Sequence, residues 1–139
     1  FGTLHTNSAS ATIDRMLDVF PPIQQPQIRA QMAGSLVGVC SQNLVKKIGG
    51  GRCAAQEIMV NTPAIANLIR EGKTTQIYSS IQMGSKVGMQ TMEMCLARLV
   101  NEGKVTYEDA VSKSSKVDEL ARLVDPKILA GQKAAAAKG

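Results

Sequence analysis

The chain has 139 residues, with 16 Lys and Arg against 11 Asp and Glu, which gives a net charge of +5. This length suits one modest domain or part of a longer protein, and the 44% share of hydrophobic residues predicts a packed core. Aromatic residues make up only 3% and Trp is absent, so base-stacking platforms for single-stranded nucleic acid are not expected. The basic residues are scattered along the sequence, which favours an ordinary solvated surface over a nucleic-acid interface.

Membrane insertion and disulfide bonding are not expected either. The longest uncharged stretch, residues 30–45, carries several polar side chains and falls short of the ~20 apolar residues that a membrane helix needs. Nothing resembling a signal peptide opens the chain, so a cytoplasmic location is expected by default. Cys40, Cys53 and Cys95 are odd in number and far apart, which predicts buried, reduced thiols rather than disulfides or a CxxC metal site. Because Phe1 is not an initiator residue, we expect a segment upstream.

Apolar spacing predicts a mainly helical domain with one short β-hairpin. Residues 1–6 carry two apolar side chains and precede a polar run, which fits the end of a buried strand that leads into a helix. Gly49–Gly51 separates two strand-like segments and predicts a hairpin turn. The tail over residues 131–139 has no bulky apolar side chain and is predicted to be disordered. In chain order, the predicted helices cover residues 13–20, 25–39, 62–71, 76–83 and 89–102, a short segment capped by Thr106, and residues 117–124.

The helix over residues 62–71 carries the clearest boundary signals. Thr62 is a good N-cap and Pro63 suits the first helical position, where its missing N–H costs nothing. Gly72 supplies the stop at the other end. The apolar stripe along this helix is formed by Ile65, Leu68 and Ile69.

Gly72, Lys73 and Thr74 look like the end of a phosphate-binding loop. That motif requires a further glycine at the position that Asn67 occupies, and it follows a strand rather than a helix. Gly72 is therefore better explained as a helix stop. No GxSxG, HExxH, EF-hand or paired-carboxylate spacing is present, so the sequence shows no complete catalytic set of its own.

One local group of residues could still carry chemistry. His5 is the sole histidine and lies where the strand end gives way to a polar turn. Ligands bind at such strand ends in α/β folds, and a neutral imidazole there can donate to a phosphate oxygen or place a water. The alternative is a histidine satisfied by the neighbouring polar turn, which composition alone favours. The sequence also leaves the role of Glu57 undecided. It is either an exposed strand residue or a carboxylate with a hydrogen-bonding or ionic partner.

Several segments of the sequence resemble the PilT family, the ATPases that retract type IV pili. Residues 4–9 (LHTNSA) and 12–15 (TIDR) are similar to the family's histidine box and the helix that follows it. The resemblance extends from residue 1 to residue 124 and keeps the family's order. The other similar segments are residues 44–48, the glycine turn, 52–59 (RCAAQEIM), 62–71 (TPAIANLIRE), 77–84 (IYSSIQMG) and 88–91 (GMQT).

This resemblance implies an α/β fold, with the C-terminal half of a RecA-like P-loop ATPase core over residues 1–61 and a helical C-terminal region over residues 62–130. The family's phosphate-binding loop and its acidic residues for Mg²⁺ are expected upstream, so this chain alone is not expected to hydrolyse ATP. In the complete protein, the resemblance places His5 at the terminal phosphate of ATP as the catalytic residue, with Thr6 beside it in the nucleotide site. ATP and Mg²⁺ are the implied cofactors, and no metal ligand is expected in this chain.

Residues 62–71 resemble the family's AIRNLIRE motif, which is associated with retraction rather than with nucleotide binding. Ala66 departs from the motif, since the family usually has an arginine there that would share a helix face with Arg70. Gln56 also departs from the family, which commonly has a histidine before the glutamate. We expect the apolar members to hold the helix on its neighbour and Arg70 and Glu71 to make polar contacts. The matching residues are Ala64, Ile65, Asn67, Leu68, Ile69, Arg70 and Glu71.

The parent that this resemblance implies is a cytoplasmic, homo-hexameric ATPase that powers pilus retraction and twitching motility. It would be peripheral to the inner membrane through a pilus platform protein, with no transmembrane segment and no nucleic-acid partner. One alternative is a pilus assembly or type II secretion ATPase of the same superfamily, against which the segment 62–71 argues. The other alternative is a non-catalytic helical module that binds an acidic partner or nucleic acid through its positive charge.

Overall fold

The computed structural model of the chain describes residues 1–138, which form two compact units. The first unit comprises Phe1–Ser41 and Glu57–Thr91, and the second comprises Gln42–Gln56 and residues 92–138. Neither unit ends at residue 61, the predicted boundary. The turn end of the β-hairpin belongs to the second unit and its open end to the first. The division into an ATPase core over residues 1–61 and a helical region over residues 62–130 stays a prediction.

The first unit is built from four helices and one end of the hairpin. Its helices pack around a single apolar core. Two short 3₁₀ turns, Thr74–Gln76 and Ser85–Val87, flank the fourth helix. The helices are α1 (Ala9–Asp18), α2 (Gln25–Ser35), α3 (Pro63–Arg70) and α4 (Ile77–Met83). The larger buried side chains of this core are Ile13, Leu17, Met32, Met59, Ile65, Ile69, Ile77, Ile81 and Met89.

The boundaries predicted for α3 are confirmed. The Thr62 hydroxyl accepts a hydrogen bond from the Ile65 amide at 3.4 Å, and Pro63 is the first helical residue. At the other end Gly72 has a φ of +72°, a left-handed conformation that glycine adopts without the steric cost of a side chain. The capping residue, the proline and the glycine that the sequence predicted therefore lie at the two ends of this helix.

Helix α2 is shorter than the predicted segment 25–39. Leu36 is extended, and the Asn61 side-chain amide donates to the carbonyl oxygens of Ala33 at 3.0 Å and Leu36 at 2.7 Å. These bonds satisfy carbonyl groups that a helix end leaves without partners. Gly38 then begins the first strand, and a β-carbon there would lie 2.7 Å from the carbonyl oxygen of Met59. This glycine allows close approach between strands rather than between helices.

Two further predictions differ from the structure in the first unit. Residues 1–6 form no strand, since among the described residues only the two hairpin strands form a sheet. A strand needs a hydrogen-bonded neighbour, and these residues have none there. The helix predicted from residue 89 begins at Met92 instead, because Gln90 exchanges two backbone hydrogen bonds with Ile58, at 2.9 and 3.1 Å.

The second unit packs four helices against the other end of the hairpin. Its core contains Val45 and Ala55 from the strands, together with buried residues from the helices. Glu93 is fully buried, and its Oε1 accepts from the Ser114 hydroxyl and from the amides of Ser115 and Lys116 at 2.9 to 3.2 Å. The helices are α5 (Met92–Asn101), α6 (Tyr107–Val111), α7 (Val117–Leu123) and α8 (Pro126–Lys138).

Helix α8 occupies much of the tail that the sequence predicts to be disordered. Ala and Lys are strong helix formers, so a segment without a core can still propagate a helix that is anchored nearby. The anchor lies in the first turns, where Ile128 and Leu129 pack against the second unit's core and the Gln132 side chain accepts from the Tyr107 amide at 2.6 Å. The prediction also covered Gly139, which lies outside the described residues. Over residues 1–138, no helix combines the length and apolarity that crossing a bilayer requires.

The predicted hairpin is confirmed, with strands β1 (Gly38–Lys46) and β2 (Arg52–Val60) joined through three glycines of positive φ. The Asn61 amide donates to Val37 at 2.9 Å and the Lys47 amide donates to Gly51 at 3.0 Å, which fixes the register at both ends. In this register the odd-numbered residues face the cores. It also sets Lys46 directly opposite Arg52 on the exposed face.

Replacing Lys46 by Glu should stabilise the chain by ~0.2–1 kcal/mol. Like charges directly opposite each other on a sheet are destabilising, whereas an opposite-charge pair is favourable. Urea unfolding followed by circular dichroism would measure the change, and the gain should shrink at high salt. Lys47→Glu is the matched control, because Lys47 lies opposite Gly51 and its charge reversal makes no such pair. An equal gain in both variants would show that only net charge matters.

Candidate functional site

His5 and Thr6 lie in the irregular segment that leads into α1. His5 is exposed, whereas Thr6 is half-buried. Ser8 caps the helix, since its hydroxyl accepts from the Ala11 amide at 3.1 Å. The two predicted nucleotide-site residues are therefore held three to four positions before the first residue of a well-capped helix. The role of His5 itself stays a prediction.

A chain of hydrogen bonds fixes the direction of the Thr6 hydroxyl. Thr12 donates its only hydroxyl proton to the Ser8 carbonyl oxygen at 2.9 Å. The contact of 2.5 Å between the hydroxyls of Thr6 and Thr12 must then use the proton of Thr6. Thr6 consequently presents lone pairs to any ligand and can accept from a donor such as water. With this bond in place, it has no proton left for a phosphate oxygen.

Glu57 is a partnered carboxylate rather than an exposed strand residue. Its side chain is 3% exposed, and Oε1 accepts a hydrogen bond from the Ala9 amide at 2.8 Å. Ala9 is the first residue of α1, so a carboxylate from β2 binds the helix N-terminus 48 residues earlier in the chain. Negative charge at a helix N-terminus is favourable because the amide dipoles point their positive ends there.

A second contact ties α1 to the turn after α3. The Thr74 hydroxyl is buried and lies 2.8 Å from Oδ1 of Asp14, to which it donates. Lys73 pairs with Glu71 at 3.0 Å on the surface. Both polar side chains of the sequence Gly72, Lys73, Thr74 thus have local partners, which agrees with the rejection of a phosphate-binding loop at this point.

The segment that resembles the retraction motif forms α3, and its residues divide between two faces. Ile65 and Ile69 are fully buried in the first unit's core, and Leu68 packs against it half-buried. Ala66, which stands where the family usually has an arginine, is also half-buried against this core. The remaining motif residues, Ala64, Asn67, Arg70 and Glu71, are exposed.

The exposed polar residues of α3 are already oriented by neighbours. Asn67 accepts from the Arg70 guanidinium at 2.7 Å, one helical turn apart. Glu71 forms its surface pair with Lys73. Such exposed contacts add little to stability, with a typical value of ~0–1 kcal/mol. They leave a polar, pre-oriented row on the surface of the first unit.

The sequence reasoning left the role of Glu57 open, although a signal was present. In β2, Ala55, Glu57 and Met59 alternate with more exposed residues, and all three are buried. Combined with the hairpin register, a period of two places Glu57 on the buried face, where an ionised group requires a hydrogen-bonding partner. The partner, Ala9, could not be identified because the contact is remote in sequence.

Comparison with known proteins shows which family shares these segments. No family model matches the chain. The type IV pilus retraction ATPase PilT of Pseudomonas aeruginosa is 56% identical over 114 residues, which are 82% of this chain and 33% of that protein. The chain belongs to the PilT family. A twitching motility protein of Neisseria gonorrhoeae is 45% identical to this PilT-family chain over 121 residues, or 86% of the chain and 32% of the relative.

A solved structure of the pilus retraction motor PilT with bound ADP is similar in fold. It superposes with a TM-score of 0.78 at 48% identity, and the match covers 88% of this chain and 34% of that one. The chain thus spans about a third of the length of the PilT relatives that it matches. The predicted fold class, part of a RecA-like P-loop ATPase with a helical region, is confirmed.

Proposed function

We propose that this chain is the C-terminal part of an ATP-hydrolysing motor that retracts type IV pili. The observation that carries the proposal is the 56% identity to a retraction ATPase over a stretch that makes up 82% of the chain. Two structural features support it: the hydrogen-bonded turn with His5 and Thr6, and the polar row on α3. ATP hydrolysis by the complete protein, rather than by this chain alone, is part of the proposal.

In the proposed nucleotide site, His5 is exposed and free to point an N–H towards the terminal phosphate of ATP. Hydrogen-bond donors aimed at the charge that develops on a transferred phosphoryl group are a large source of catalysis. Thr6 acts differently, because its proton is committed to Thr12 and its lone pairs can accept from the attacking water. The two adjacent side chains thus have complementary roles, one as donor to phosphate and one as acceptor from water.

The proposed roles of His5 and Thr6 do not depend on the metal ion. Among residues 1–138, no three His, Cys, Asp or Glu side chains lie close enough together to bind an ion. None of the roles given to His5 and Thr6 runs through the metal. ATP and Mg²⁺ as cofactors of the complete protein remain part of the proposal.

The exposed row of α3 is proposed to transmit the motor's movement. Asn67, Arg70 and Glu71 are exposed and pre-oriented, so a partner can contact them without paying to order them. The proposed assembly is a cytoplasmic homo-hexamer at the inner membrane that acts on a pilus platform protein. Site completion by neighbouring subunits would couple nucleotide state to domain movement.

A chimera tests the proposal with this chain in place. Residues 1–124 replace the matching segment of P. aeruginosa PilT, and the chimera is expressed in a strain that lacks PilT. Restored twitching motility is the expected result. A chimera with Ala66→Arg serves as a matched variant, since it restores the family's usual residue. Restored ATP turnover without twitching in either form would favour a different ATPase role, and absence of both would favour a non-catalytic helical module.

A further inference from the structure

The contact between Glu57 and Ala9 places a buried carboxyl group beside the proposed nucleotide turn. Glu57 is 3% exposed, Ala9 is fully buried, and the distance from the Ala9 nitrogen to Oε1 is 2.8 Å. A carboxylate is costly to bury unless it is hydrogen-bonded, and a buried amide is costly to leave without an acceptor. Each group therefore restrains the other, and this bond ties the first turn of α1 to β2.

The first residue of α1 is close in sequence to both proposed site residues. Thr6 lies three residues before Ala9, and His5 lies four before it. Thr6 is further tied to α1 through Thr12, so a displacement of the helix start displaces the turn as well. The reach of the Glu57 side chain thereby sets the position of the segment that carries His5.

This arrangement also decides what the start of α1 can bind. The Ala9 amide is used by Glu57 and the Ala11 amide by Ser8. A helix N-terminus ordinarily attracts phosphate, but here the carboxyl group of Glu57 already occupies the first amide. The proposal accordingly assigns the contact with the terminal phosphate to His5 rather than to these two amides.

We propose that Glu57 is a positioning residue, which holds His5 and Thr6 in place through its hydrogen bond to the first amide of α1. The inference rests on the proposed function of His5. Glu57 touches neither nucleotide nor water in this proposal, and it acts through the position of the turn. Its length should matter more than its charge, because the acceptor must reach the Ala9 amide.

The test compares two variants that separate length from charge, each in the PilT chimera. Glu57→Gln keeps the acceptor oxygen at the same reach but removes the charge. Glu57→Asp keeps the carboxyl group but withdraws it by about one bond, ~1.5 Å. Steady-state ATP hydrolysis gives kcat and KM for both. Glu108→Asp is the matched control, since Glu108 is exposed on α6 and lies outside the proposed site.

We expect Glu57→Asp to lower kcat about tenfold or more while KM for ATP changes less than about twofold, since misplacement of ~1 Å is costly for catalysis. Glu57→Gln should retain kcat within about threefold, and Glu108→Asp should match the unsubstituted chimera. The proposal is overturned if Asp retains activity better than Gln, if both variants lose equally or not at all, or if Asp raises KM alone. Loss in Glu57→Asp without loss in His5→Ala would instead overturn the proposed role of His5.

Discussion

Replacing His5 by Ala in the PilT chimera is expected to lower kcat for ATP hydrolysis about 100-fold or more. Removing one positioned donor from a developing negative charge typically costs a factor of ~10²–10³, and proton transfer by a positioned side chain contributes ~10²–10⁴. His5 is exposed at the turn before α1, so its removal leaves no cavity in the core. The loss should appear in kcat, because the rest of the nucleotide site is proposed to lie outside this chain. Steady-state kinetics with saturating ATP would measure it.

The neighbouring Asn7 supplies the control for this experiment. Asn7→Ala changes another exposed polar residue of the same segment, which has no role in the proposed chemistry. The chimera with Asn7→Ala should keep kcat within about twofold, since exposed substitutions away from special features have small effects. If His5→Ala were as active as Asn7→Ala, His5 would be a surface residue satisfied by its turn, which is the alternative that composition favoured.

Local signals in the sequence predicted those parts of the fold that depend on neighbouring residues. Thr62, Pro63 and Gly72 define α3 because each acts within one helical turn of its own position. The three glycines define the hairpin for the same reason, since each has a positive φ. Residues 1–6 show where local signals fail. Their apolar side chains predicted a strand, but a strand requires a partner strand, which local sequence does not supply.

The parts that sequence could not give depend on contacts between distant segments. The side-chain amide of Asn61 binds the carbonyl groups at the end of α2 from 25 and 28 residues away in sequence, and no pattern within the helix predicts this contact. The tail became helical because Gln132 and two apolar residues anchor it, whereas composition alone suggested disorder. At the site, the sequence identified His5 and Thr6 as neighbours of a helix start. It could not show that Thr12 takes the Thr6 proton or that Glu57 holds Ala9.

Replacing Ile69 by Ala is expected to destabilise the chain by ~2–5 kcal/mol. Ile69 is fully buried in the first unit's core, so its truncation loses transfer free energy and leaves a cavity. Such a loss is a large fraction of the ~5–15 kcal/mol that stabilises a typical domain. Urea unfolding followed by circular dichroism would measure it. The residue belongs to the segment that resembles the retraction motif, so this variant isolates the motif's structural role.

Asn67→Ala is the matched variant on the exposed face of the same helix. It removes the hydrogen bond to Arg70 but adds a better helix former, so stability should change by less than ~0.5 kcal/mol. In the chimera it should nevertheless reduce twitching, because the polar row is proposed to contact the partner, while ATP turnover persists. Normal twitching with Asn67→Ala would remove Asn67 from that contact. If Ile69→Ala were as stable as the unsubstituted chain, the buried face of α3 would contribute no essential packing. That result would contradict the division of α3 into a buried face that supports the fold and an exposed face that contacts the partner.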